Sequence, residues 1–465
     1  MMEHFDVIII GSGPAGEKAA AQAAYIGKKV LVIEKEPVVG GAMVNTGTLP
    51  SKTLRETALF FSGKKQRGMY GIEFQLGKQI TVQDLMFRKN FIIKKEIETI
   101  NENLAKHKVE QIQGTAYFID EHTIGIEGSA EKFSGDFILI AVGTHPFHPN
   151  YIPFEEEQIY DSDEILEMIK IPKSMVIIGA GVIGCEYACM FAALGIEITL
   201  VEPRDAILPF IDGEISNLLV EEMNLLGVKF IFKDAVEKVE MKDGMCETFL
   251  KSGNILRSET HLWAAGRVGN TKNLKLENIG LAANNRGQLE VNEHYQTKIP
   301  HIYAGGDVIG FPSLASTSME QGRVAMCHAF DFRYKDRMAA LLPYGIYTIP
   351  EVSMVGMTEE EARRKSIDYE VGKSRYADHP RGQIIGSERG MLKLVFAKAD
   401  KKLLGVHVIG DNASEIVHTG MMAMQFDGTI DAFINSVFNY PTLSDLYKYA
   451  TYDGLGNLSG HKIRK

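Results

Sequence analysis

The sequence predicts an α/β fold: two parallel-sheet units of the strand–helix–strand kind, followed by a smaller mixed α+β domain. Three observations predict it. A glycine turn between an apolar run and an Ala-rich stretch occurs near the N-terminus and again past residue 175, and each copy closes on a second apolar run ending in glutamate. The spacing from first glycine to that acid is the same in both, 34 − 11 = 23 and 202 − 179 = 23. From Gly345 onward, strand-like and helix-like runs alternate with no such turn.

The first copy, residues 5–34, reads FDVIIIGSGPAGEKAAAQAAYIGKKVLVIE. Gly11 permits the tight turn, Gly13 lets the backbone approach a pyrophosphate, and Gly16 lets helix pack on strand. The helix N-terminus offers N–H groups and the positive end of its dipole to phosphates. Glu34, at the tip of the second strand, is placed to accept from an adenosine ribose. A glycine-rich loop without function would leave that acid unexplained. The second copy, residues 175–202, reads MVIIGAGVIGCEYACMFAALGIEITLVE, with Gly179, Gly181, Gly184 and Glu202 in the same places. Units 168 residues apart (179 − 11) cannot be one fingerprint, so two Rossmann-like units are expected to bind two dinucleotides. A protein that holds two dinucleotides is best suited to moving hydride between them.

Composition narrows the function classes. The chain has 465 residues, 45% hydrophobic and 24% charged, enough for about three domains of ~100–200 residues. A net charge of −10 argues against nucleic acid or an anionic membrane as partner, since either calls for a basic face. The N-terminal MMEHFDVIII has an acid and no cationic lead before its short apolar run, so it reads as a strand and not a signal peptide. No apolar run approaches the ~18 residues of a membrane span. Cys185, Cys189, Cys246 and Cys327 have no metal-ligand spacing, so no metal site is expected, and a reducing cytoplasm is the simplest setting.

Between the copies, 80–107 reads as a helix with interspersed charges, and FILIAVGT (137–144) as a buried strand ending in a turn. Asp161-Ser162-Asp163 is placed to cap a short helix before the second unit. THLWAAGR (260–267) closes that unit with a similar strand and turn. Residues 299–326 give a strand, the Gly305-Gly306-Asp307 turn and a helix opening near Ser313. An acid at that strand tip can bind a sugar-alcohol hydroxyl while the helix N-terminus faces an electron-rich ring; an ordinary turn with a capping Asp reads equally from the residues alone. The tail GLGNLSGHKIRK is Gly-rich and basic and is expected to fray.

These pieces in order resemble the pyridine-nucleotide-disulfide oxidoreductases, the group of glutathione reductase and dihydrolipoamide dehydrogenase. The likeness rests on GSGPAG, GTLPSK, FILIAVGT, GAGVIGCEYA, AAGRVGNT and the Gly305-Gly306-Asp307 turn. IYDSDEIL, RGQLEVNEHYQT, GDVIGFPSLAS, GIYTIPEVS and FNYPTLSDLY carry a closer likeness to the soluble pyridine nucleotide transhydrogenases within that family. The resemblance implies a glutathione-reductase-like fold: an FAD domain split into 1–150 and 273–345, an inserted NAD(P) domain at 151–272, and a C-terminal dimerisation domain at 346–465. It places FAD against Gly11, Ser12, Gly13, Pro14, Ala15 and Gly16, with Glu34, Lys35 and Gly41 beside them. Farther along the chain it adds Ala116, Ala141, Gly143 and Thr144, then Gly306, Asp307, Leu314 and Ala315. For NAD(H) or NADP(H) it implies Gly179, Gly181, Val182, Ile183 and Gly184, and beyond them Glu202, Arg204, Val236 and Gly266.

GGAMVNTGTLPSK (Gly40–Lys52), whose Pro-Ser-Lys reads as a helix start carrying a cation, is where the chain departs from the family. The two redox cysteines are replaced by Met43 and Thr48, and the C-terminal His-Pro-Thr-x-x-Glu segment reads Tyr440-Pro-Thr with Asp445 in the acid's place. A thioether and a hydroxyl form no disulfide, and a base for thiols is useless without thiols. The family pattern pairs Lys52 with Glu186 beside the flavin; as unrelated surface charges the two would contribute only ~0–1 kcal/mol. Cys185 and Cys189, i and i+4 on the same helix, read as small buried hydrophobes. Val182 stands where some relatives carry a tyrosine lid. Glu202 favours a ribose 2′-hydroxyl, whereas Arg204 suits a 2′-phosphate.

The expected function is FAD-dependent ping-pong hydride exchange between NADPH and NAD+ in a cytoplasmic homodimer, with Tyr440 of the FNYPT segment facing the partner's flavin. The alternatives are an NAD(P)H dehydrogenase serving a quinone, dye or oxygen, and an NAD(H)-sensing flavoprotein without turnover.

Overall fold

A computed structural model describes residues 2–63 and 80–461. In it, β1 (Glu3–Ile10), α1 (Pro14–Tyr25) and β2 (Val30–Glu34) form the first unit. Pro14 opens α1, where a missing N–H breaks no helical bond. Val7 to Ile10 are buried on alternate faces, as a parallel strand covered on both sides requires. α2 (Gly41–Asn45), α3 (Thr48–Phe61) and α4 (Val82–Lys106) follow, then β3 (Glu110–Gln113), β4 (Ala116–Asp120), β5 (Thr123–Ile126) and β6 (Lys132–Ile140). The sheet order is β3-β2-β1-β6-β5-β4, and Ile302–Ala304 comes in from far along the chain to pair in parallel with the end of β6. Thr81 and Asp84 form a reciprocal capping box on α4, so the helix read over 80–107 has a sequence-local start.

The second unit comprises β7 (Thr144–Pro146), β8 (Ile159–Asp161), β9 (Ser174–Ile178), α5 (Val182–Ala193), β10 (Glu197–Glu202), α6 (Gly213–Leu225) and β11 (Val228–Phe232). It continues through β12 (Val236–Lys242), β13 (Met245–Leu250), β14 (Ile255–Ser258), β15 (Thr260–Trp263) and β16 (Arg267–Gly269). Its parallel sheet runs β11-β10-β9-β15-β8, with β12-β13-β14 as an antiparallel layer. β7 and β16, the outgoing and returning connections, pair with each other. α5 is buried almost all round, Cys185 and Cys189 included, in agreement with their reading as small hydrophobes. Asp161 is the residue that caps the short turn of helix over Glu164–Glu167, accepting from the N–H groups of Asp163 and Glu164 at 2.8 Å each.

After β17 (Ile302–Ala304) and α7 (Ala315–Ala329) comes an antiparallel sheet of order β18-β19-β22-β21-β20. Its strands are β18 (Tyr344–Ile346), β19 (Val352–Gly356), β20 (Tyr369–Arg375), β21 (Met391–Ala397) and β22 (Leu403–Ile409), interleaved with α8 (Glu359–Arg364) and α9 (Pro380–Ile384). α10 (Ala413–Gln425), α11 (Asp431–Asn435) and α12 (Leu446–Ser459) complete it. α7 crosses α1 closely because Gly322 has no side chain; a Cβ there would sit 2.1 Å from the Ala15 carbonyl oxygen. Lys393 of β21 is buried and joins this region to the second unit. Its Nζ bonds Asp212 (2.8 Å) and Glu214 (2.9 Å) at the start of α6, and Glu359 of α8. The three carboxylates that could otherwise chelate a cation thus surround an ammonium.

α3 begins at Thr48, so Pro50, Ser51 and Lys52 lie at its start, and α7 begins at Ala315, close to Ser313, as expected. One sequence expectation is corrected. The Gly-rich tail is not frayed through Ser459. It continues α12, and Gly454 is where that helix meets Phe396 and Gly372; a Cβ on Gly454 would lie 2.6 Å from the Phe396 ring. Its glycines serve close packing rather than disorder. Residues 462–465 of the tail lie outside the described residues.

Candidate active site

A cleft of ≈ 1430 Å³ opens where the two units and the third region converge. Its phosphate end is the turn between β1 and α1. Gly11 has φ +103, and a Cβ there would fall 2.4 Å from the Ala141 carbonyl oxygen. A Cβ on Gly13 would meet nothing nearer than Gly41 Cα at 3.9 Å, so bare backbone faces the cleft beside the α1 N-terminus. Pro14, Ala15, Lys35 and Gly41 line the same end. Ser12 and Gly16 do not reach the cleft. Ser12 donates its N–H (2.8 Å) and hydroxyl (2.7 Å) to Glu34 Oε2, and Gly16 lies beneath Gly11. Glu34 Oε1 accepts from Glu36 N–H (3.0 Å) and keeps one acceptor position open on a wall of the cleft. Bare glycines, a helix N-terminus and a part-open acid in one cleft fit an FAD.

The middle of the cleft is walled by Ala116, Ala141, Gly143 and Thr144 on one side, and by Gly306, Asp307, Leu314 and Ala315 at the head of α7 on the other. Burial pushes the Asp307 carboxyl up, against the opposing pull of Arg267 and the Thr144 hydroxyl. Arg267 is fixed by Asp163 (2.7 Å) and by the Thr144 hydroxyl and carbonyl (3.0 Å each).

At the inner end, Lys52 Nζ bonds Glu186 Oε2 at 2.7 Å. Glu186 is buried on α5, and its other oxygen accepts the Tyr347 N–H at 2.8 Å. The Lys52 ammonium also stands 5.0 Å from the Tyr347 ring centroid, within cation–π range. One residue from each of the three regions thus holds this junction, and all three line the cleft. Sequence reasoning missed Tyr347, although its segment GIYTIPEVS was singled out, and it missed Arg267 in AAGRVGNT. Neither shows a local spacing signal.

Gly181, Val182 and Ile183 at the α5 N-terminus, with Gly266 opposite, form the wall nearest Glu186. Gly179 and Gly184 pack behind it, Gly184 under Gly179 as Gly16 lies under Gly11. Val236 does not face the cleft; its side chain packs with Val201, Val239 and Trp263. Glu202 and Arg204 lie away from this cleft and bind each other. Arg204 Nε (2.7 Å) and its backbone N–H (3.0 Å) donate to Glu202 Oε1, while Nη2 (3.1 Å) and the Ala180 N–H (2.7 Å) donate to Oε2. Burial works against the Glu202 charge, yet these donors hold its carboxyl below the usual range.

Residues 5–322 match the pyridine nucleotide-disulphide oxidoreductase family model, and residues 342–451 match the dimerisation domain of the same family. The chain belongs to that family. Relatives of Mycobacterium tuberculosis and Colwellia psychrerythraea, both named soluble pyridine nucleotide transhydrogenase, are 46% and 41% identical to it over 98% of each chain. Among solved structures, the HOCl-induced flavoprotein disulfide reductase RclA from Escherichia coli superposes with a TM-score of 0.86 at 26% identity, covering 95% of this chain and 98% of that one. LpdA from Mycobacterium tuberculosis, at 24% identity over 97% of this chain and 99% of that one, shares the fold with a TM-score of 0.89.

Met43 and Thr48 both line the cleft beside Lys52, so a thioether and a hydroxyl flank that lysine. No cysteine lines the cleft; all four are buried and free, and burial pushes the Cys189 and Cys246 thiols up to about 12. Tyr440 is exposed and lies outside its own chain's cleft. Asp445 bonds the buried His379 at 3.2 Å. That carboxylate is committed to a packing contact. Among the described residues, no helix is long and apolar enough to cross a membrane.

Proposed function

We propose that the chain catalyses FAD-dependent hydride exchange between NADPH and NAD+, as a transhydrogenase with a single nicotinamide position. The observation that carries this reading is a cleft with two dinucleotide turns, an intact Lys52–Glu186–Tyr347 junction and no thiol. The relatives' names support it. When bound, the flavin supplies a two-electron centre that takes hydride from one nicotinamide and yields it to the next.

The protein's part is placement. The Gly11–Gly16 turn and Glu34 anchor the resident dinucleotide, and the α7 head with Asp307 fixes its other half. The α5 N-terminus admits the exchanging NAD(H) or NADP(H), and Val182 leaves that mouth open. Lys52, oriented by Glu186, keeps a cation at the reacting end, where fixed charge is most effective in a partly dry site. Met43 and Val182 present apolar surface to the cleft. The residues of the cleft would hold a flavin and a nicotinamide against each other for direct transfer, so no side-chain acid or base is assigned.

The proposal divides the chain into an FAD domain at 1–150 and 273–345, an NAD(P) domain at 151–272 and an interface domain at 346–465. It takes the working form to be a cytoplasmic homodimer in which Tyr440 covers the partner's flavin. Anaerobic mixing of NADPH with thio-NAD+ tests the activity, and thio-NADH is the expected product. If the yellow colour bleaches and no thio-NADH appears, the exchange reading is wrong and an NAD(P)H dehydrogenase remains.

A further inference from the structure

The two units of this chain end their second strands on the same acid and treat it differently. A carboxylate has about four acceptor positions. On Glu34 three are filled, by the Ser12 N–H, the Ser12 hydroxyl and the Glu36 N–H, and the open one belongs to an oxygen at the cleft wall. On Glu202 all four are filled, three of them by Arg204. A ribose 2′-hydroxyl cannot bond Glu202 until the guanidinium withdraws. Arg204 in turn uses only two of its five guanidinium N–H groups on Glu202, leaving three without a protein partner among the described residues. Its side chain is 49% exposed, against 3% for Glu202.

We propose that Arg204 is a removable cap on Glu202, and that this pair lets one adenosine subsite accept either a 2′-hydroxyl or a 2′-phosphate. With a 2′-phosphate, Arg204 stays on Glu202, cancels its charge and offers the phosphate its outer N–H edge. With a 2′-hydroxyl, Arg204 swings into solvent and the ribose takes the vacated carboxylate positions. The phosphate meets a guanidinium in place of a bare carboxylate, and the hydroxyl meets a carboxylate with open acceptor positions for its O–H. The resident cofactor's unit, with Glu36 two residues after its acid where the second unit has Arg204, has no cap to remove and is permanently open to a ribose. The inference rests on the two-nucleotide reading above and concerns the adenosine end alone.

Calorimetric titration with adenosine 2′,5′-bisphosphate and with 5′-AMP tests it without any hydride transfer. The wild-type holoenzyme is expected to bind both. Arg204→Ala should weaken the bisphosphate about 10- to 100-fold, the range of a lost charge-assisted contact, and should tighten 5′-AMP several-fold because the competitor for Glu202 is gone. Glu202→Gln should weaken 5′-AMP about tenfold and leave the bisphosphate within threefold of wild type. Arg204→Lys, which retains charge but not the fork, should fall between wild type and Arg204→Ala for the bisphosphate. Parallel loss of both ligands in Arg204→Ala, or an unchanged 5′-AMP affinity, overturns the cap. A ligand split of the expected kind in a protein that makes no thio-NADH would leave the cap standing and remove the transhydrogenase reading.

Discussion

In both strand–helix–strand units the third glycine lies directly under the first: a Cβ on Gly16 would sit 1.9 Å from the Gly11 oxygen, and one on Gly184 1.8 Å from the Gly179 oxygen. First glycines and strand ends also match, with φ +103 at Gly11 and +98 at Gly179. The side chains that bond the acid differ at two positions. Ser12 corresponds to Ala180, and Glu36 to Arg204. The first pair adds a hydroxyl bond to Glu34; in the second the backbone N–H bond to the acid is the same in both copies, and Arg204 adds a guanidinium clamp on Glu202. Backbone packing therefore sets the duplicated scaffold, and a few side chains set what each copy can hold.

The broadest break in that comparison is steric. Gly16→Val and Gly184→Val each place a branched side chain against a carbonyl oxygen and should cost at least ~3 kcal/mol. They should separate the copies: Gly16→Val protein should purify colourless, and Gly184→Val protein should stay yellow but resist bleaching by NADPH. A yellow Gly16→Val protein would mean the turn is not where FAD is held.

Next is the Lys393 anchor of the second unit. Burial pushes all three carboxyls up, but His407 and Lys393 outweigh it at Asp212, Lys373 and Lys393 at Glu214, and Lys393 and the Tyr369 hydroxyl at Glu359, so all three lie below the usual carboxylate range. Their folded values are depressed, so their stabilisation is full above the unfolded range near ~4 and fades as pH falls through the lower folded values. Lys393→Met leaves the buried Asp212 without its lysine, while Glu214 keeps Lys373 and Glu359 keeps Arg363, and should cost ~3–5 kcal/mol at pH 7. Acidification to pH 5 should narrow the gap in Tm from wild type as the stranded carboxylate takes up a proton. A gap independent of pH would assign the loss to packing.

Lys52→Met should slow bleaching of the flavin by NADPH about 100-fold, comparable to losing one aligned donor at a reacting centre, with FAD still bound. An unchanged rate in stopped-flow mixing would remove Lys52 from the chemistry. The smallest effect transplants one copy's feature into the other. Glu36→Arg should cap Glu34 as Arg204 caps Glu202 and raise the FAD dissociation constant about tenfold, measured by release on dilution. No change would show that the cap depends on more than the residue two places after the acid.

How much of this was legible in the sequence follows the range of each interaction. The two turns, their acids and the capped α4 depend on contacts within a few residues and on backbone rules, and they stand where the pattern put them. The Lys52–Glu186 pair spans 134 residues and was reachable only through the family resemblance. Tyr347, which supplies a backbone N–H to Glu186, and His379, which takes up Asp445, had no spacing to betray them. The same holds for Lys393, whose partners lie up to 181 residues away. The sequence assigns Glu202 to a 2′-hydroxyl and Arg204 to a 2′-phosphate, and only the folded side chains show that the two neutralise each other. The tail misled because glycine suits both loose chain and tight helix crossings, and only the facing surface at Gly372 and Phe396 decides between them.

The Lys393 cluster also limits how this molecule can be recombined. Asp212 and Glu214 travel with the inserted nucleotide unit, while the ammonium that balances them is encoded some 180 residues later, on β21. A chimera that borrows residues 151–272 from a relative inherits one half of a charge contract and keeps the other. Such exchanges should yield stable protein only when donor and recipient carry the same acid set opposite the same lysine, however well their glycine turns agree.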